Sequence, residues 1–591
     1  MITYARASAQ DAAGLLAPVG GGYADVYPGI VAVYLERAHN DAVTIVVIPT
    51  TYSTNATAIT AAEREVNLRD AERRRFELEE ACKRAAPKGV RCTATLAPIF
   101  TRADAEDPDI LKLFDDDVTG VFLLGGDQAV AMAALANTPV EAAITAIYTR
   151  GGAIAGTSAG GAVQSQAMIA DYSRNVAAGN ALTRNAAELW NSDDQRGLRT
   201  GVAGAVLDQH FFQRGRLGRL LSTILRPDAP PIGIGVDAYT GVRIEAGHVL
   251  TGVFGLYTVA VLDAATYATA EGAAYVGEDA LISARNLLVH LLAPGAFSYD
   301  IATYTPSLAP PPTTLTRTLD ALTLPVGAGP LILTGGLAPA SDVWPQFVDH
   351  TQDNAAPLLI VAAGYANTRP AQRAADKLGQ QLGGDYAVLV VDSKQDAALA
   401  LDRTYRGIIV LARDQSLLQP ARLTAITDAW RAGTPLLLDG AAAALAGSVL
   451  AAHGPTPEDA EAAEIATQRA FLEGRTVITP ALGLLDITVE PRVLADNRWG
   501  RLFSLAYNHP DQVAFGLADD AALIVTGDGA TVAGANVVVS LDLRSATLAL
   551  GANRAFAIAN GLLDVFAPGD APFAAHDNCA SESKKPSCRQ P

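Results

Sequence analysis

The sequence predicts an α/β protein that contains a doubly wound, mostly parallel sheet twice. Three observations lead to this prediction. With 591 residues the chain is too long for a single compact core. Its two halves repeat one another segment by segment. Within each half, short Val/Ile/Leu runs alternate with longer segments of helical period, as in parallel strands that are covered by helices on both faces.

The repeat consists of paired segments that keep the same order in both halves. The pairs are residues 43–53 (VTIVVIPTTYS) with 357–367 (PLLIVAAGYAN), 120–128 (GVFLLGGDQ) with 407–415 (GIIVLARDQ), 215–222 (GRLGRLLS) with 497–504 (NRWGRLFS), and 233–242 (GIGVDAYTGV) with 514–523 (AFGLADDAAL). Chance similarity does not preserve order over such a length. Each half is therefore predicted to be a domain with one shared fold.

Boundaries follow from composition. Residues 307–318 (SLAPPPTTLTRT) contain three consecutive prolines, which favour an extended spacer over a helix or a central strand. The charged segment 62–85 is predicted to be a helix with a solvated face. We expect a first domain over residues 1–305, a Pro/Thr-rich linker over 306–328, a second domain over 329–572 and a polar tail over 573–591.

Charge and hydropathy exclude some partners. The chain carries 44 Lys and Arg against 62 Asp and Glu, so its net charge is −18, a field that repels nucleic acid and anionic lipid. No apolar run reaches the roughly 18 residues of a membrane helix. The first residues lack the basic and apolar regions of a signal peptide. We expect neither nucleic acid nor membrane as a partner.

The cysteines form two local pairs, Cys82 with Cys92 and Cys579 with Cys588. Neither pair has CxxC spacing or a histidine nearby. We expect two short-loop disulfides, which indicate a secreted or periplasmic protein whose signal is absent from this sequence; the alternative is four free thiols in a cytoplasmic protein. No metal constellation and no phosphate-binding glycine fingerprint is found, so we expect neither a metal nor a cofactor.

Residues 151–163 (GGAIAGTSAGGAV) indicate a nucleophile elbow. A small apolar strand leads through Gly156, Ser158 and Gly160 into a segment of helical period, the setting in which a serine hydroxyl is exposed on a tight turn. Backbone N–H groups at such a turn, here those of Ala159 and of Gly126 at a neighbouring strand end, are candidates for an oxyanion hole. The alternative is a glycine-rich packing turn.

A serine needs a general base, and His210 is the best candidate. It lies at a predicted strand end, within residues 207–221 (LDQHFFQRGRLGRLL). It follows Ser158 by only 52 residues, which argues against the Ser, Asp, His order of α/β-hydrolases. A buried structural histidine is the alternative.

Fixed cations follow this histidine. Arg214, Arg216 and Arg219 present guanidinium groups that suit carboxylates, so they point to a substrate with carboxylate groups. Gln128 ends another strand on the same expected edge of the sheet and is a candidate for a substrate amide. Ordinary salt bridges on a helix surface are the alternative for any one of these arginines.

These motifs together resemble the cyanophycinases, part of the serine peptidase family that includes dipeptidase E. The matching segments are GGDQ (125–128), GTSAG (156–160), DQHFFQRGRLGRLL (208–221) and GIGVD (233–237), in the family's order over roughly residues 10–305. The resemblance implies a flavodoxin-like, class I glutamine amidotransferase-like sheet. It also implies hydrolysis of cyanophycin, a poly-aspartate that carries arginine on each β-carboxylate, to β-Asp-Arg dipeptides.

The resemblance also implies roles for single residues. Ser158 matches the nucleophile and His210 the general base. Six further residues match positions that shape the family's substrate pocket: Gln128, Asp208, Gln209, Arg214, Arg216 and Arg219. The family's glutamate after GIGVD is replaced by Ala238, and residues 172–187 contain no Asp or Glu, although Asp171 and Glu188 flank this gap. The acid that orients His210 is therefore left unassigned, and so is the substrate beyond the β-aspartyl peptide class.

The second half lacks this chemistry. Gly440 falls opposite Ser158, and Glu490, Pro491 and Arg492 fall opposite the Asp208–His210 segment. Asp414 and Gln415 persist beside Arg498 and Arg501, most simply as remnants that serve packing. We therefore expect an inactive copy that packs on the first as an intramolecular pseudo-dimer.

Three functions stay open at this point. The leading hypothesis is a serine peptidase that cleaves cyanophycin through an acyl-enzyme on Ser158. The second is a dipeptidase E-like hydrolase of aspartyl or β-aspartyl peptides. The third is a non-catalytic protein that binds aspartyl polymers.

Overall fold

The computed structural model describes residues 14–173, 182–268, 272–313, 315, 317, 322–352, 355–391 and 399–573. The strands of the first half are β1 (Leu15–Val19), β2 (Ala42–Ile48), β3 (Arg91–Leu96), β4 (Gly120–Leu123), β5 (Ala153–Thr157), β6 (Met168–Tyr172), β7 (Ala187–Trp190), β8 (Ala205–Gln209), β9 (Ile232–Val236), β10 (Thr240–Glu245), β11 (Val249–Gly255), β12 (Val259–Asp263), β13 (Ala274–Val276), β14 (Leu281–Leu292), β15 (Tyr299–Asp300) and β16 (Thr305–Pro306). Its helices are α1 (Tyr27–Leu35), α2 (Ala61–Ala85), α3 (Arg102–Ala105), α4 (Pro108–Leu111), α5 (Gln128–Leu135), α6 (Pro139–Thr149), α7 (Ala159–Ala162) and α8 (Leu217–Ile224).

The second half continues with strands and helices in alternation. Its strands are β17 (Leu331–Thr334), β18 (Leu358–Ala363), β19 (Tyr386–Val390), β20 (Gly407–Ala412), β21 (Leu436–Gly440), β22 (Val449–Ala451), β23 (Ile478–Pro480), β24 (Ile487–Pro491), β25 (Val513–Leu517), β26 (Ala521–Thr526), β27 (Gly529–Gly534), β28 (Val538–Asp542), β29 (Thr547–Leu550) and β30 (Phe556–Phe566). Its helices are α9 (Val343–Asp349), α10 (Thr368–Leu382), α11 (Thr424–Arg431), α12 (Ala460–Arg469) and α13 (Trp499–Asn508).

The first sheet has the order β16-β15-β11-β10-β1-β5-β4-β2-β3. Strands β1, β5, β4, β2 and β3 are parallel to one another. Both faces of this parallel part are buried: Leu15 packs on the face covered by α1 and α2, and Leu16 packs on the face covered by α5 and α6. Helices on both faces of a parallel sheet confirm the α/β class.

The prediction of a mostly parallel sheet is wrong outside that part. Strands β10 and β11 continue the first sheet in the antiparallel direction. A second sheet, β24-β25-β28-β30-β14-β12-β9-β8-β6-β7, combines parallel pairs such as β8 with β9 and antiparallel pairs such as β9 with β12. A short apolar run indicates a buried strand but carries no information about its direction, which is why the sequence missed this.

The second sheet contains strands of both halves. They meet where β14 and β30 pair in the antiparallel direction, with Leu288 opposite Leu562 and Leu291 opposite Ile558. Side chains from both halves also share one hydrophobic core, which includes Phe212 from the first half and Phe471 from the second. The halves are therefore joined through a continuous sheet and a continuous interior.

A third sheet lies within the second half, with the order β19-β18-β20-β21-β17-β26-β27. Strands β19, β18, β20, β21 and β17 are parallel, and β26 and β27 are antiparallel to their neighbours. Strands β22 and β23 form a separate pair. The carboxyl ends of β20 and β21 bring Gln415 and Gly440 to the same edge.

Helix α2 confirms the predicted solvated helix at residues 62–85. The Thr60 hydroxyl caps its N-terminus by accepting from the N–H of Glu63. Cys82 in this helix forms a disulfide with Cys92 in β3, as the sequence predicted. The other predicted pair, Cys579 with Cys588, lies outside the described residues.

Three described residues of the predicted linker are buried: Pro306, Arg317 and Leu322. The Arg317 guanidinium lies 2.7 Å from an Asp564 carboxylate oxygen, and Asp564 is fully buried. Asn286 from β14 joins this cluster through its side-chain oxygen, which accepts from Arg317 at 3.1 Å. Arg317 therefore contacts side chains of both halves, and the predicted domain boundaries stay predictions.

Within the described ranges, no single helix is long and apolar enough to span a membrane. Helices α5 and α6 pass that test of length and composition only as a pair, and they are bent by 97° at the break between them.

Candidate active site

Ser158 lies on the sharp turn between β5 and α7. Its backbone adopts φ 54° and ψ −119°, a strained conformation for a residue other than glycine. The turn is possible because the next residues are small: a Cβ at Gly160 would lie 2.3 Å from the Leu123 carbonyl oxygen. The serine N–H donates to the Val19 carbonyl oxygen at 2.9 Å. The local structure is the predicted strand, turn and helix, with the hydroxyl held at the carboxyl edge of the sheet.

His210 follows β8 and reaches the same edge from the second sheet. Its backbone has φ 47°, and its N–H donates to the Gly20 carbonyl oxygen at 2.9 Å. Its ring atom Nε2 lies 3.0 Å from Ser158 Oγ. Hydrogen-bond contact between these two side chains is the geometry that a serine nucleophile and its base require.

The side chain of His210 is half-buried, and its imidazole is uncharged near neutral pH. Burial lowers its pKa to about 3, and the neighbouring guanidinium groups of Arg214 and Arg216 lower it further. The hydrogen bond to Gln213 and the charge of Asp208 oppose this shift without cancelling it. A neutral imidazole can accept the proton of Ser158 over a wide range of pH.

On its other side His210 contacts a glutamine. The ring atom Nδ1 is in hydrogen-bond contact with Gln213 Oε1. The Gln213 amide nitrogen donates to Glu464 Oε2 at 2.9 Å, so a residue of α12 in the second half reaches this site. Neither Asp171 nor Glu188, which flank the gap noted in the sequence, contacts His210 in the described part of the chain; they face each other across β6 and β7.

Asp237, the aspartate of the GIGVD segment, supports the loop that carries Gln213. Its Oδ1 accepts from the N–H groups of Gln213 at 3.1 Å and Ala238 at 3.2 Å. Complete burial raises its pKa to about 7, and the N–H donors oppose this shift. Its role in the structure is to fix the turn after His210.

The three arginines lie in different environments. Arg219 is buried and makes a bidentate pair with Asp208, at 2.7 Å and 2.5 Å. Arg216 donates to the Gln209 carbonyl oxygen at 2.7 Å and is also buried. Arg214 is exposed and lies 3.6 Å from a Glu464 carboxylate oxygen. In this structure Asp208 and Arg219 neutralise each other, and the substrate-binding roles of all these residues stay predictions.

The two predicted glutamines also reach the site. The Oε1 atom of Gln209 accepts from Ser158 Oγ at 3.4 Å. Gln128 begins α5 and is buried; its amide nitrogen donates to the carbonyl oxygens of Ile169 and Ala170. Gln209 is therefore in contact with Ser158, whereas Gln128 ties α5 to β6.

Backbone donors lie on both sides of Ser158. Gly126 ends the turn after β4 with φ 151°, and a Cβ there would lie 1.9 Å from the Thr51 carbonyl oxygen, so only glycine fits. Ala159 is the first residue of α7. Neither N–H has an acceptor among the residues described, and their role as an oxyanion hole stays a prediction.

Several site residues were missed from the sequence. A glycine-rich segment after β1 lies directly against His210, because a Cβ at Gly21 would overlap the His210 ring. Tyr23 follows it, and its hydroxyl accepts from the Gly125 N–H at 3.3 Å, with the Arg74 guanidinium stacked 3.8 Å from its ring. The run of glycines at a strand end was a usable signal. Glu464, in an Ala/Glu-rich helix, gave none.

The corresponding edge of the second half carries different side chains. Gly440 adopts φ 61° and ψ −128°, close to the Ser158 values. Glu490, Arg498 and Gln415 form a buried cluster in which Arg498 donates to Gln415 Oε1 at 2.9 Å and to Glu490 at 3.3 Å. This edge presents an elbow without a nucleophile.

Comparison with known proteins points to one group of peptidases. No protein-family model matches the chain. The chain is 34% identical to a cyanophycinase of Synechococcus elongatus over 205 residues, which are 34% of this chain and 59% of that protein. It is 36% identical to one of Trichormus variabilis over 180 residues, covering 30% and 55%, and 31% identical to one of Geminocystis herdmanii over 195 residues, covering 33% and 66%.

Two solved structures are also similar. A peptidase from an acI-B1 Actinobacterium superposes with a TM-score of 0.33 at 19% identity, covering 49% of this chain and 97% of that one. A putative peptidase E from Listeria monocytogenes has a TM-score of 0.25 at 13% identity, covering 42% and 100%. The first two cyanophycinase alignments span 55% to 59% of those relatives. The resemblance indicated by the motifs is confirmed: this chain is similar in sequence to the cyanophycinases.

Proposed function

We propose that this protein is a serine peptidase that hydrolyses cyanophycin, multi-L-arginyl-poly-L-aspartate, to β-Asp-Arg dipeptides through an acyl-enzyme on Ser158. The similarity to cyanophycinases supports a peptidase of the cyanophycinase and peptidase E type. The observation that carries the serine mechanism is the 3.0 Å distance between Ser158 Oγ and His210 Nε2, on a turn that leaves the hydroxyl at a sheet edge.

The proposed reaction has two steps. Ser158 Oγ attacks the carbonyl carbon of the scissile bond while its proton passes to His210 Nε2. The oxyanion forms beside the N–H groups of Gly126 and Ala159. The C–N bond then breaks, His210 returns the proton to the departing amine, and the acyl group remains as an ester on Ser158. Water attacks this ester and gives its proton to His210, and the released serine oxygen takes that proton back.

The substrate carries carboxylates and guanidinium groups, and the site offers both charges. Arg214 is exposed at the mouth of the site and suits the free α-carboxylate of an arginine branch of the polymer. A dipeptidase E-like hydrolase of aspartyl or β-aspartyl peptides uses the same reacting groups, so it remains the second candidate. A non-catalytic binding protein would have no need of the strained Ser158 backbone or of its contact with His210.

We also propose that the two halves form an intramolecular pseudo-dimer with one active site per chain. Two observations support this. The order β11-β10-β1-β5-β4-β2-β3 in the first sheet corresponds, strand for strand, to β27-β26-β17-β21-β20-β18-β19 in the third. The last long strand of each half, β14 and β30, pairs with the other in the antiparallel direction.

The Cys82–Cys92 disulfide supports a further proposal, that the protein is exported to an oxidising compartment.

Incubation of the full chain with insoluble cyanophycin tests the function. We expect the suspension to clear and β-Asp-Arg to be released, and we expect Ser158→Ala to release none while keeping the thermal unfolding midpoint of the parent. Cleavage of soluble aspartyl dipeptides without clearing would favour the dipeptidase E-like alternative. Binding to the granules with no released product would contradict catalysis altogether.

A further inference from the structure

We infer that the second half positions the general base of the first: Glu464 holds the Gln213 amide, and this amide holds His210 in the orientation and tautomer that Ser158 requires. This inference rests on the proposed function, since it assigns the group that orients the proposed base. It gives the catalytically silent half a direct part in the chemistry of the site.

The contacts fix where the imidazole proton lies. A carboxylate only accepts hydrogen bonds, so the Gln213 NH₂ group must face Glu464, to which it donates at 2.9 Å. The amide oxygen must then face His210 Nδ1, with which it is in contact. A neutral imidazole has one proton, and this acceptor draws it to Nδ1. The lone pair on Nε2 is left for the hydroxyl of Ser158, 3.0 Å away.

The same loop is held by two further contacts from the second half. The Asn497 side-chain amide donates to the carbonyl oxygens of Phe212 at 2.8 Å and Gln213 at 3.2 Å. The Phe212 ring packs against Phe471 and Phe503, with ring centroids 4.2 Å and 5.6 Å apart. These contacts fix the position of the loop relative to α12, so the distance between Gln213 and Glu464 is set by packing rather than by a flexible approach.

Helix α12 contacts the first half at two positions one turn apart, with Glu464 at the loop and with Gln468 at a residue after β9. Gln468, four residues after Glu464 and therefore on the same helix face, donates to the Ala238 carbonyl oxygen at 3.2 Å. Glu464 itself is about one-third exposed, at 31% of its side chain, and Arg214 lies 3.6 Å from its other oxygen. Arg214 thus contacts the carboxylate from the solvent side, and the Gln213 amide donates to it from the protein interior.

Glu464→Ala in the full chain tests the relay. The readout is the rate at which Ser158 reacts with a fluorophosphonate, in which an Oγ–P bond forms, fluoride leaves and His210 Nε2 takes the serine proton. We expect the rate to fall by about tenfold to a hundredfold, the usual cost of removing a group that orients a functional histidine. Glu464→Gln keeps an acceptor oxygen and should recover most of the rate. Glu461→Ala, a matched exposed acid on the same helix, should change nothing.

The tautomer gives a readout that a merely structural role would not move. In protein labelled with ¹⁵N-histidine, His210, assigned by its loss in His210→Asn, should show the proton on Nδ1 in the parent and a mixture of tautomers in Glu464→Ala. An unchanged rate and tautomer in Glu464→Ala would overturn the relay. A parent with the proton on Nε2 would overturn it too, whatever the substrate. A Glu464-dependent Ser158 that cleaves no aspartyl peptide would overturn the proposed substrate and leave the relay standing.

Discussion

The edge that carries Ser158 and the edge that carries Gly440 share a backbone and differ in their side chains. Both residues adopt a positive φ of similar size, 54° and 61°, at the carboxyl end of a parallel strand. At the first edge His210 lies against the hydroxyl, whereas at the second edge Arg492 points its guanidinium to Asp496. The backbone turn is therefore similar at both edges, and the side chains at the strand ends determine whether a hydroxyl and an imidazole come together there.

The polar clusters of the two edges differ as well. Arg219 donates two short hydrogen bonds to Asp208, at 2.7 Å and 2.5 Å, and Arg216 lies 3.8 Å from the same carboxylate. Glu490 is shared between Arg498 at 3.3 Å and Arg501 at 3.8 Å. The carboxylate of the first edge thus has one bidentate partner and one distant arginine, whereas the carboxylate of the second edge contacts both of its arginines only at 3.3 Å or more.

The largest expected effect separates the two edges by activity. His210→Ala should lower β-Asp-Arg release by at least about a thousandfold, because a serine without its base is a poor nucleophile. Arg492→Ala, at the matching position of the second half, should leave the rate within about twofold. Steady-state rates with cyanophycin measure both. Equal losses in the two variants would contradict the assignment of chemistry to the first edge.

The next effect concerns stability. Arg219→Met removes both guanidinium hydrogen bonds to the buried Asp208 carboxylate and leaves Arg216, 3.8 Å away, as its cationic partner, so we expect the free energy of unfolding to fall by about 3 to 5 kcal/mol. Arg498→Met should cost less, since Arg501 and Gln415 still face Glu490. Denaturant titration followed by fluorescence compares the two. A larger loss for Arg498→Met would contradict this description of the clusters.

The pH dependence of Ser158 labelling should follow the lowered pKa of His210. With a pKa near 3, His210 stays neutral as the pH falls through 6.5, so the acid limb of the rate should lie well below 6.5. Arg214→Gln removes a nearby positive charge, which raises the pKa of His210 and should move the acid limb to higher pH. Asp208 and Arg216 also act on the pKa of His210, and Glu464 contacts the Gln213 side chain beside it.

Asp237→Asn is the control for that experiment. The pKa of Asp237 is near 7 and its carboxylate supports the Gln213 backbone, so an inflection near pH 7 that disappears in Asp237→Asn belongs to the loop. An acid limb that stays near 6.5 in the parent, in Arg214→Gln and in Asp237→Asn would contradict the environment described for His210.

The smallest expected effect is on activity when a serine is placed at the elbow of the second half, where we expect no gain. Introducing Gly440→Ser into the Ser158→Ala protein should restore no activity, because Arg492 rather than a histidine follows the neighbouring strand. A small loss of stability is expected, since a Cβ at this position would lie 3.0 Å from the Ala412 carbonyl oxygen. Recovered hydrolysis of cyanophycin would show that the second edge holds a base that the contacts do not reveal.

The sequence predicted what local patterns determine. The strand, turn and helix around Ser158 depend on a pattern of consecutive residues, so the sequence alone predicts them. The position of His210 at the end of a strand is predicted in the same way, from the residues next to it. The contact of Glu464 with Gln213 joins residues 251 positions apart and depends on how α12 packs against the other half. The pairing of β14 with β30 also depends on tertiary structure, because the apolar sequence of each strand does not specify which strand lies beside it.

The most direct test of the account counts reactive serines. After treatment of the intact chain with a fluorophosphonate, mass spectrometry should find one adduct per chain, located at Ser158, and none in His210→Ala. An unlabelled parent, or an adduct located elsewhere in the chain, would contradict the claim that Ser158 and His210 form the single reactive centre.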